Sequence, residues 1–541
     1  MTQNPRPAAW LALTLASFAG CATRTNQLRP PDASAMATPD LLNVSALAPA
    51  INAGVGGKAR ALRNLPPTAL SGDRDPAVAS TSIDPTPAAT TPPTIPQSAP
   101  PFPIDLPSAL RLADGQNPVI GEARVLILGA LAERQAARAL LLPSLNAGTN
   151  DHDHTGPLQR AGGAISKLTE QSLYFGGGAR TLAAESVSIP AVNISSPLTE
   201  AIFAPLATQQ QVNGTRFHAA DIANKVLLEV ASLYIDLVGA EAVLQARRTT
   251  AAEADQLAES VASFAATGQG RKSDADRAEA DRRLFQVDIQ RAEERVAVAS
   301  AQLAQRLNLD PSARLSPIVG PLEPIELIPP DAPPDDLIRA AIVRRPDLAA
   351  REAQLARAEY FVHQEKARPF LPTIWVGFSG GAFGGGSNLI PPLLSSFAGR
   401  TDFDVRAYWT VLNLGAGNAS LIQQRRAQAG QAMADRSVVV NQIRREVASA
   451  RAETLALRSQ VANARYALKT SEDGYRQDQA RLRESLSLPI EALDSLRLLS
   501  DARIGLVEAI TRSNRAQFAL FVSLGAPPPL EPPPTAPPSG G

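Results

Sequence analysis

The run Asp151-His152-Asp153-His154 is the one place in the sequence where metal-ligating side chains crowd together. Imidazole and carboxylate are suitable ligands for transition metals. The run sits beside a glycine-rich stretch, where polar residues need no special purpose, and it is read as a polar loop element with no metal. The other two histidines, His218 and His363, lie far from it, His363 on a helix pattern among charged neighbours. Neither a nucleophile elbow nor a phosphate loop nor a zinc-binding helix motif occurs, so the sequence predicts no enzyme and no cofactor.

Cys21 is the single cysteine, which rules out an internal disulfide. Arg6, an apolar run from Trp10 to Phe18, and Ala19-Gly20-Cys21 have the basic start, apolar centre and small-residue cleavage site of an export signal. A cysteine just after such a site resembles a bacterial lipoprotein signal, with Phe18 standing where leucine is usual. Residues 1–21 are therefore expected to be a signal ending at a lipidated Cys21.

The elements expected to carry any function come in two copies. Leu142-Pro143-Ser144-Leu145 returns as Leu371-Pro372-Thr373-Ile374, and Glu229-Val230-Ala231-Ser232 as Glu446-Val447-Ala448-Ser449. Asn308-Leu309-Asp310-Pro311 has its echo in Ser523-Leu524-Gly525-Ala526-Pro527. A repeat of roughly 200 residues exceeds the roughly 20–50 of a solenoid unit and reads as a duplicated half-domain. The expected divisions are a Pro/Ala-rich spacer over 22–105, a first repeat over 106–325, a second over 326–526 and a proline-rich tail over 527–541.

Charge is balanced at 52 basic and 52 acidic residues, which removes the usual argument for a nucleic-acid partner. Aromatic residues are only 4%, too few for a thick globular core, whereas alanine favours helices and lets them approach closely. Helices are expected over 107–141, 206–266 and 273–308, and again over 335–368, 416–480 and 489–523. The 206–266 segment alone would reach about 90 Å at 1.5 Å per residue, so coiled-coil packing is expected. Strands are expected at 144–151 and 187–198 in the first copy and at 373–379 and 402–412 in the second, with outer loops at 152–187 and 380–400. Phe403, Val405, Ala407, Trp409 and Val411 alternate with Asp404, Arg406, Tyr408 and Thr410. One apolar and one polar face suits a barrel wall between lipid and water. Four strands leave bare edges that lipid cannot satisfy, so several copies must share one sheet, and three copies would supply twelve strands.

In order and spacing these segments resemble the TolC-like outer-membrane efflux protein family. The resemblance runs from Leu106 to Gly525. It is carried by Asn117-Pro118 and Arg345-Pro346-Asp347-Leu348 at two helix starts, Ala139-Leu140-Leu141-Leu142-Pro143-Ser144-Leu145 at a helix-to-strand junction, Trp409-Thr410-Val411-Leu412-Asn413-Leu414-Gly415 at a return to helix, and Val230-Ala231-Ser232-Leu233-Tyr234-Ile235-Asp236-Leu237 on a long helix. It implies a mainly α fold with transmembrane β: a homotrimer with a 12-stranded β-barrel in the outer membrane of a Gram-negative-type bacterium, on a long α-helical barrel in the periplasm. It further implies a passive exit duct for a tripartite efflux or secretion system, working with a periplasmic adaptor and an inner-membrane transporter. Adaptor docking is assigned to the helix tips at Gly268, Gly270, Ser273, Ser485 and Pro489, the second tip having Ser485 where the family often has glycine. Gating carboxylates are sought among Asp473, Asp478 and Glu484. The rival expectation is a lipid-anchored periplasmic coiled-coil scaffold without a pore.

Overall fold

The computed structural model describes residues 101–179, 189–268, 270–318, 320–484 and 488–529. Cys21, most of the 22–105 spacer, Ser485 and most of the tail lie outside them. In chain order the elements are β1 (Phe102–Ile104), α1 (Leu106–Gln116), α2 (Pro118–Arg138), β2 (Ser144–Leu145), β3 (Ala147–Gln159), β4 (Ile165–Ala179), β5 (Ile189–Pro190), β6 (Val192–Pro197), α3 (Leu198–Ala266) and α4 (Lys272–Arg306). They continue with β7 (Leu315–Pro317), α5 (Pro334–Arg344), α6 (Pro346–Ala367), β8 (Thr373–Ser387), β9 (Ile390–Tyr408), α7 (Ala416–Arg483) and α8 (Pro489–Ser523). The ordered body begins before Leu106, because β1 pairs in parallel with β7.

The duplication is visible in element lengths. α2 and α6 have 21 and 22 residues, α3 and α7 have 69 and 68, and α4 and α8 have 35 each. Each copy also breaks its first helical stretch at a proline, where a continuous helix was expected over 107–141 and 335–368. Proline suits the first helical position because that N–H has no intrahelical partner. At the first break Asn117 caps α2 by accepting from the Val119 amide at 3.0 Å, while its Nδ2 donates to the Arg306 carbonyl at 2.9 Å. α3 starts at Leu198, eight residues ahead of expectation (206 − 198), and runs through Pro205. The Thr208 hydroxyl donates to the Ala204 carbonyl there at 2.8 Å.

Small residues set the helix packing. Val230, Ala231 and Leu237 of α3 are buried with Leu303 and Ala304 of α4 and Phe518 of α8. A Cβ on Gly239 would meet the Thr511 hydroxyl at 2.5 Å, so α3 and α8 touch nearly backbone to side chain. Farther along, Leu257 and Val261 pack with Phe285, Leu493 and Leu496. Burial, followed by the nearby Glu253 charge, pushes the Tyr475 phenol up to about 12, so it stays neutral as part of this packing.

A second polar joint lies where α6 starts. Arg345 is buried and holds Asp347 through two hydrogen bonds, of 3.0 and 2.6 Å, and also pairs with Glu446 of α7. Burial alone would raise the Glu446 carboxyl, but hydrogen bonds from Arg345 and Gln442 and the Arg345 charge outweigh it, and its pKa is lowered below the ordinary 4.5. A carboxyl lowered on folding contributes stability that is complete above its unfolded value and lost as pH falls through its folded one. The urea midpoint of the helical signal is therefore expected to fall below about pH 4.5, and less so in Glu446→Gln.

The strands form one antiparallel wall. β3 pairs with β4, β4 and then β6 pair with successive parts of β8, and β8 pairs with β9 along its length. β4 and β6 thus act as one strand line along β8. Both expected outer loops require correction. Residues 152–187 largely belong to the β3–β4 hairpin, and 380–400 to the β8–β9 hairpin. β9 ends at Tyr408, not at 412. Its 19 residues span about 60 Å at 3.3 Å each, far more than the roughly 9–11 residues that cross a bilayer. The surplus projects from one end of the wall, where β3 carries polar residues on both faces and has lost the lipid-type alternation.

The two hairpins join at a glycine crossing. Gly176 and Gly177 lie opposite Gly381 and Gly380, and a Cβ on Gly381 would meet the Phe175 carbonyl at 2.6 Å and the Tyr174 hydroxyl at 2.8 Å. Gly381→Val is expected to cost about 1–3 kcal/mol through overpacking, read as an earlier loss of β circular dichroism on heating. Gly399→Ala on the neighbouring strand, where a Cβ meets nothing within 4 Å, should leave the transition unchanged.

Candidate functional site: a two-faced wall and the helix tips

Register decides what each face of the wall presents. Ile374, Val376 and Phe378 of β8 lie opposite Ala407, Val405 and Phe403 of β9 and opposite Ser196, Ile194 and Val192 of β6. Leu145 of β2 adjoins Val192. Successive strand residues alternate between faces, so these side chains form one apolar surface. Leu145 is 78% exposed, Phe403 69% and Val405 61%. Phe370 and Trp409 edge this surface where the wall meets the helices, and the Trp409 indole donates to the Phe370 carbonyl at 3.2 Å. Aromatic residues of this type settle at the border of hydrocarbon and headgroups.

The opposite face is polar. Arg400 pairs with Asp402 at 3.0 Å and sits 5.2 Å over the Phe383 ring, and Arg406 lies 4.5 Å over Trp375. Asp404 lies opposite Gly377, whose missing side chain leaves room for the Trp375 ring and Pro190. His152 and His154 lie on this same face, opposite Ser172 and Glu170, whereas Asp151 and Asp153 point to the other face, opposite Leu173 and Gln171. The four residues that seemed a unit in sequence are therefore split by the strand's period of two. Among the described residues no group of three or more metal-ligating side chains converges.

The wall has two bare edges. Among the described strands β3 pairs only with β4, and β9 only with β8. Among the described residues no helix is long and apolar enough to cross a membrane.

At the far end of the helices the first tip is shaped by glycine. Gly268 adopts φ +77, and the Gly270 amide returns to the Phe264 carbonyl at 2.9 Å; a Cβ on Gly270 would press on Ala265 N at 3.1 Å. Ser273 lies in the first turn of α4 and Pro489 at the first position of α8. Of the three carboxylates near the second tip, Asp473 pairs with Arg476 at 3.0 Å on its own helix. Asp478 accepts from the Ser495 hydroxyl across to α8, and Glu484 caps the end of α7. The ties that sequence did not reveal are between helices: Arg503 holds Glu253 at 2.6 and 2.9 Å, Arg247 holds Asp288 at 3.0 Å, and Arg497 pairs with the buried Asp281 at 2.5 Å. Their partners are 250, 41 and 216 residues apart (503 − 253, 288 − 247, 497 − 281), beyond the reach of any local pattern.

A duplicated set of long helices on a two-faced β wall is the architecture of TolC-like outer-membrane channels. Residues 337–526 match the family model described as outer membrane efflux protein. Among solved structures the chain is similar to the outer-membrane channel OprN, with TM-score 0.62 and 18% identity over 78% of this chain and 89% of that one. It is similar as well to the outer membrane protein VceC from Vibrio cholerae, with TM-score 0.58 and 16% identity over 78% and 96%. For the open state of the Neisseria gonorrhoeae MtrE outer membrane channel the values are 0.59 and 18% over 78% and 88%. No curated protein sequence matches. The fold is thus TolC-like, and the second repeat carries the efflux-protein sequence pattern.

Proposed function

We propose that the chain is the outer-membrane exit duct of a tripartite efflux or type I secretion-like system. Three copies place their walls edge to edge, β9 of one against β3 of the next, to close a 12-stranded barrel whose apolar face meets lipid and whose polar face lines the pore. α3, α4, α7 and α8 of the three copies continue the duct as a helical barrel across the periplasm. The observation that supports this most is the apolar surface shared in register by β2, β6, β8 and β9, on a wall with two unpaired edges. Only closure satisfies such edges in lipid.

Residues 1–21 are proposed as the signal, Cys21 as the lipid anchor, 22–105 as a spacer, 106–325 and 326–526 as the repeats, and 527–541 as a tail. The tips at Gly268, Gly270, Ser273, Ser485 and Pro489 take the helical hairpins of a periplasmic adaptor, a helix-in-groove contact. Asp473, Asp478 and Glu484 stand near the inner mouth. Cargo moves passively, driven by the inner-membrane pump, with no chemistry in the duct.

Conductance in planar bilayers tests the reading. Full-length protein should conduct, and more strongly when Arg497→Ala and Arg503→Ala release α8 from α4 and α3. A correctly assembled protein that stays silent in both forms is a coiled-coil scaffold and no duct.

A further inference from the structure

Between Ser387 and Arg400 the chain carries no charged side chain. Leu389, Ile390 and Phe397 are more than half exposed, and Leu393 and Leu394 are close to 40% exposed. So much bare apolar surface on one short segment marks a contact.

Two glycines fix where this segment lies. A Cβ on Gly384 would meet the Phe397 ring at 2.6 Å, and one on Gly386 would meet the Pro392 and Leu393 carbonyl oxygens at 2.5 and 2.8 Å. The pairing of β8 with β4 is unbroken from Gly380 to Ser387. Gly384 and Gly386 therefore share the face of Ile374, Val376 and Phe378. The β9 chain from Pro392 to Phe397 is folded over the apolar side of the wall, away from the polar side. The register shifts between Phe383 and Ser387 accommodate this departure. Counting from Thr373, about 11 residues cross the bilayer, which brings the segment to the outer rim of the hydrocarbon.

We propose that residues 389–397 form an outward flap that seats its apolar side chains among the acyl chains of the outer leaflet. The proposal rests on the duct reading, and its occupant is lipid. The hairpin that a neighbouring copy would bring alongside has Gln159, Arg160 and Lys167 at its tip beside the exposed Leu158 and Ile165, a mixed, basic surface that matches the wholly uncharged flap less well than hydrocarbon does.

Leu393→Trp and, separately, Phe403→Trp in the full chain, reconstituted in phospholipid vesicles, test it. The emission each adds over the parent is read with bromine placed high on the acyl chains and, in parallel, with aqueous iodide. The flap predicts loss of the Leu393→Trp emission to bromine and protection from iodide. Quenching by iodide alone would place the segment in water, and protection from both would place it against protein; either result overturns the flap. Phe403→Trp separates the two levels of inference. If it is quenched by bromine while Leu393→Trp is not, only the flap fails, whereas an unquenched Phe403→Trp removes the lipid-facing wall itself.

Discussion

Arg345→Ala should lower the unfolding free energy by about 3–5 kcal/mol, the usual cost of breaking a buried ion pair from one side. Asp347 and Glu446 would keep their partly desolvated carboxylates and lose the buried guanidinium that holds both. Denaturant titration of the helical signal reads the effect. Arg345→Lys should recover only part of it, since an ammonium cannot offer the planar fork that meets Asp347 with two bonds. Combining Arg345→Met with Asp347→Asn and Glu446→Gln should restore much of the loss, because no charge is then stranded. If Arg345→Ala unfolds at the same denaturant concentration as the parent, the joint between α6 and α7 is held by packing around Leu348, Ile443 and Val447 alone.

A pair of adjacent substitutions on β9 has the second large effect. Val405→Arg puts a charge on the apolar face and should cost about 2–4 kcal/mol of membrane stability if that face lies near the bilayer midplane. The readout is the fraction of protein recovered as folded, vesicle-inserted assembly. Asp404→Arg, one residue away, points to the polar face beside Gly377 and should insert normally while shifting ion selectivity toward anions. Equal insertion of the two variants would mean that neither face meets lipid.

The parts legible in sequence were those under strong periodic constraint. α8 runs over 489–523 as expected and α4 differs by one or two residues at each end, because proline, a helix stop and a long apolar stripe marked them. The lower strands were legible because the two faces of the wall differ in polarity, so that Phe403, Val405 and Ala407 alternate with polar neighbours. Where no such alternation is imposed that signal is gone. Asp151 to Gly156 then reads as a polar loop although it is strand, and Gly380 to Gly386 reads as a flexible linker although its glycines permit close crossing of β4 and β9. The polar ties Arg503–Glu253 and Arg497–Asp281 join distant segments, and only the fold brings them together.

For the proposed duct, the two uncovered margins of the wall bear on how a membrane is entered. A solitary copy entering hydrocarbon would drag in two rows of unsatisfied amides and carbonyls, each costing several kcal/mol. No inserted monomer can therefore accumulate as a biogenesis intermediate. In the proposed duct, oligomerisation and membrane entry are then one concerted event, and the long helices, which need no lipid to pack, are the part able to gather the copies beforehand.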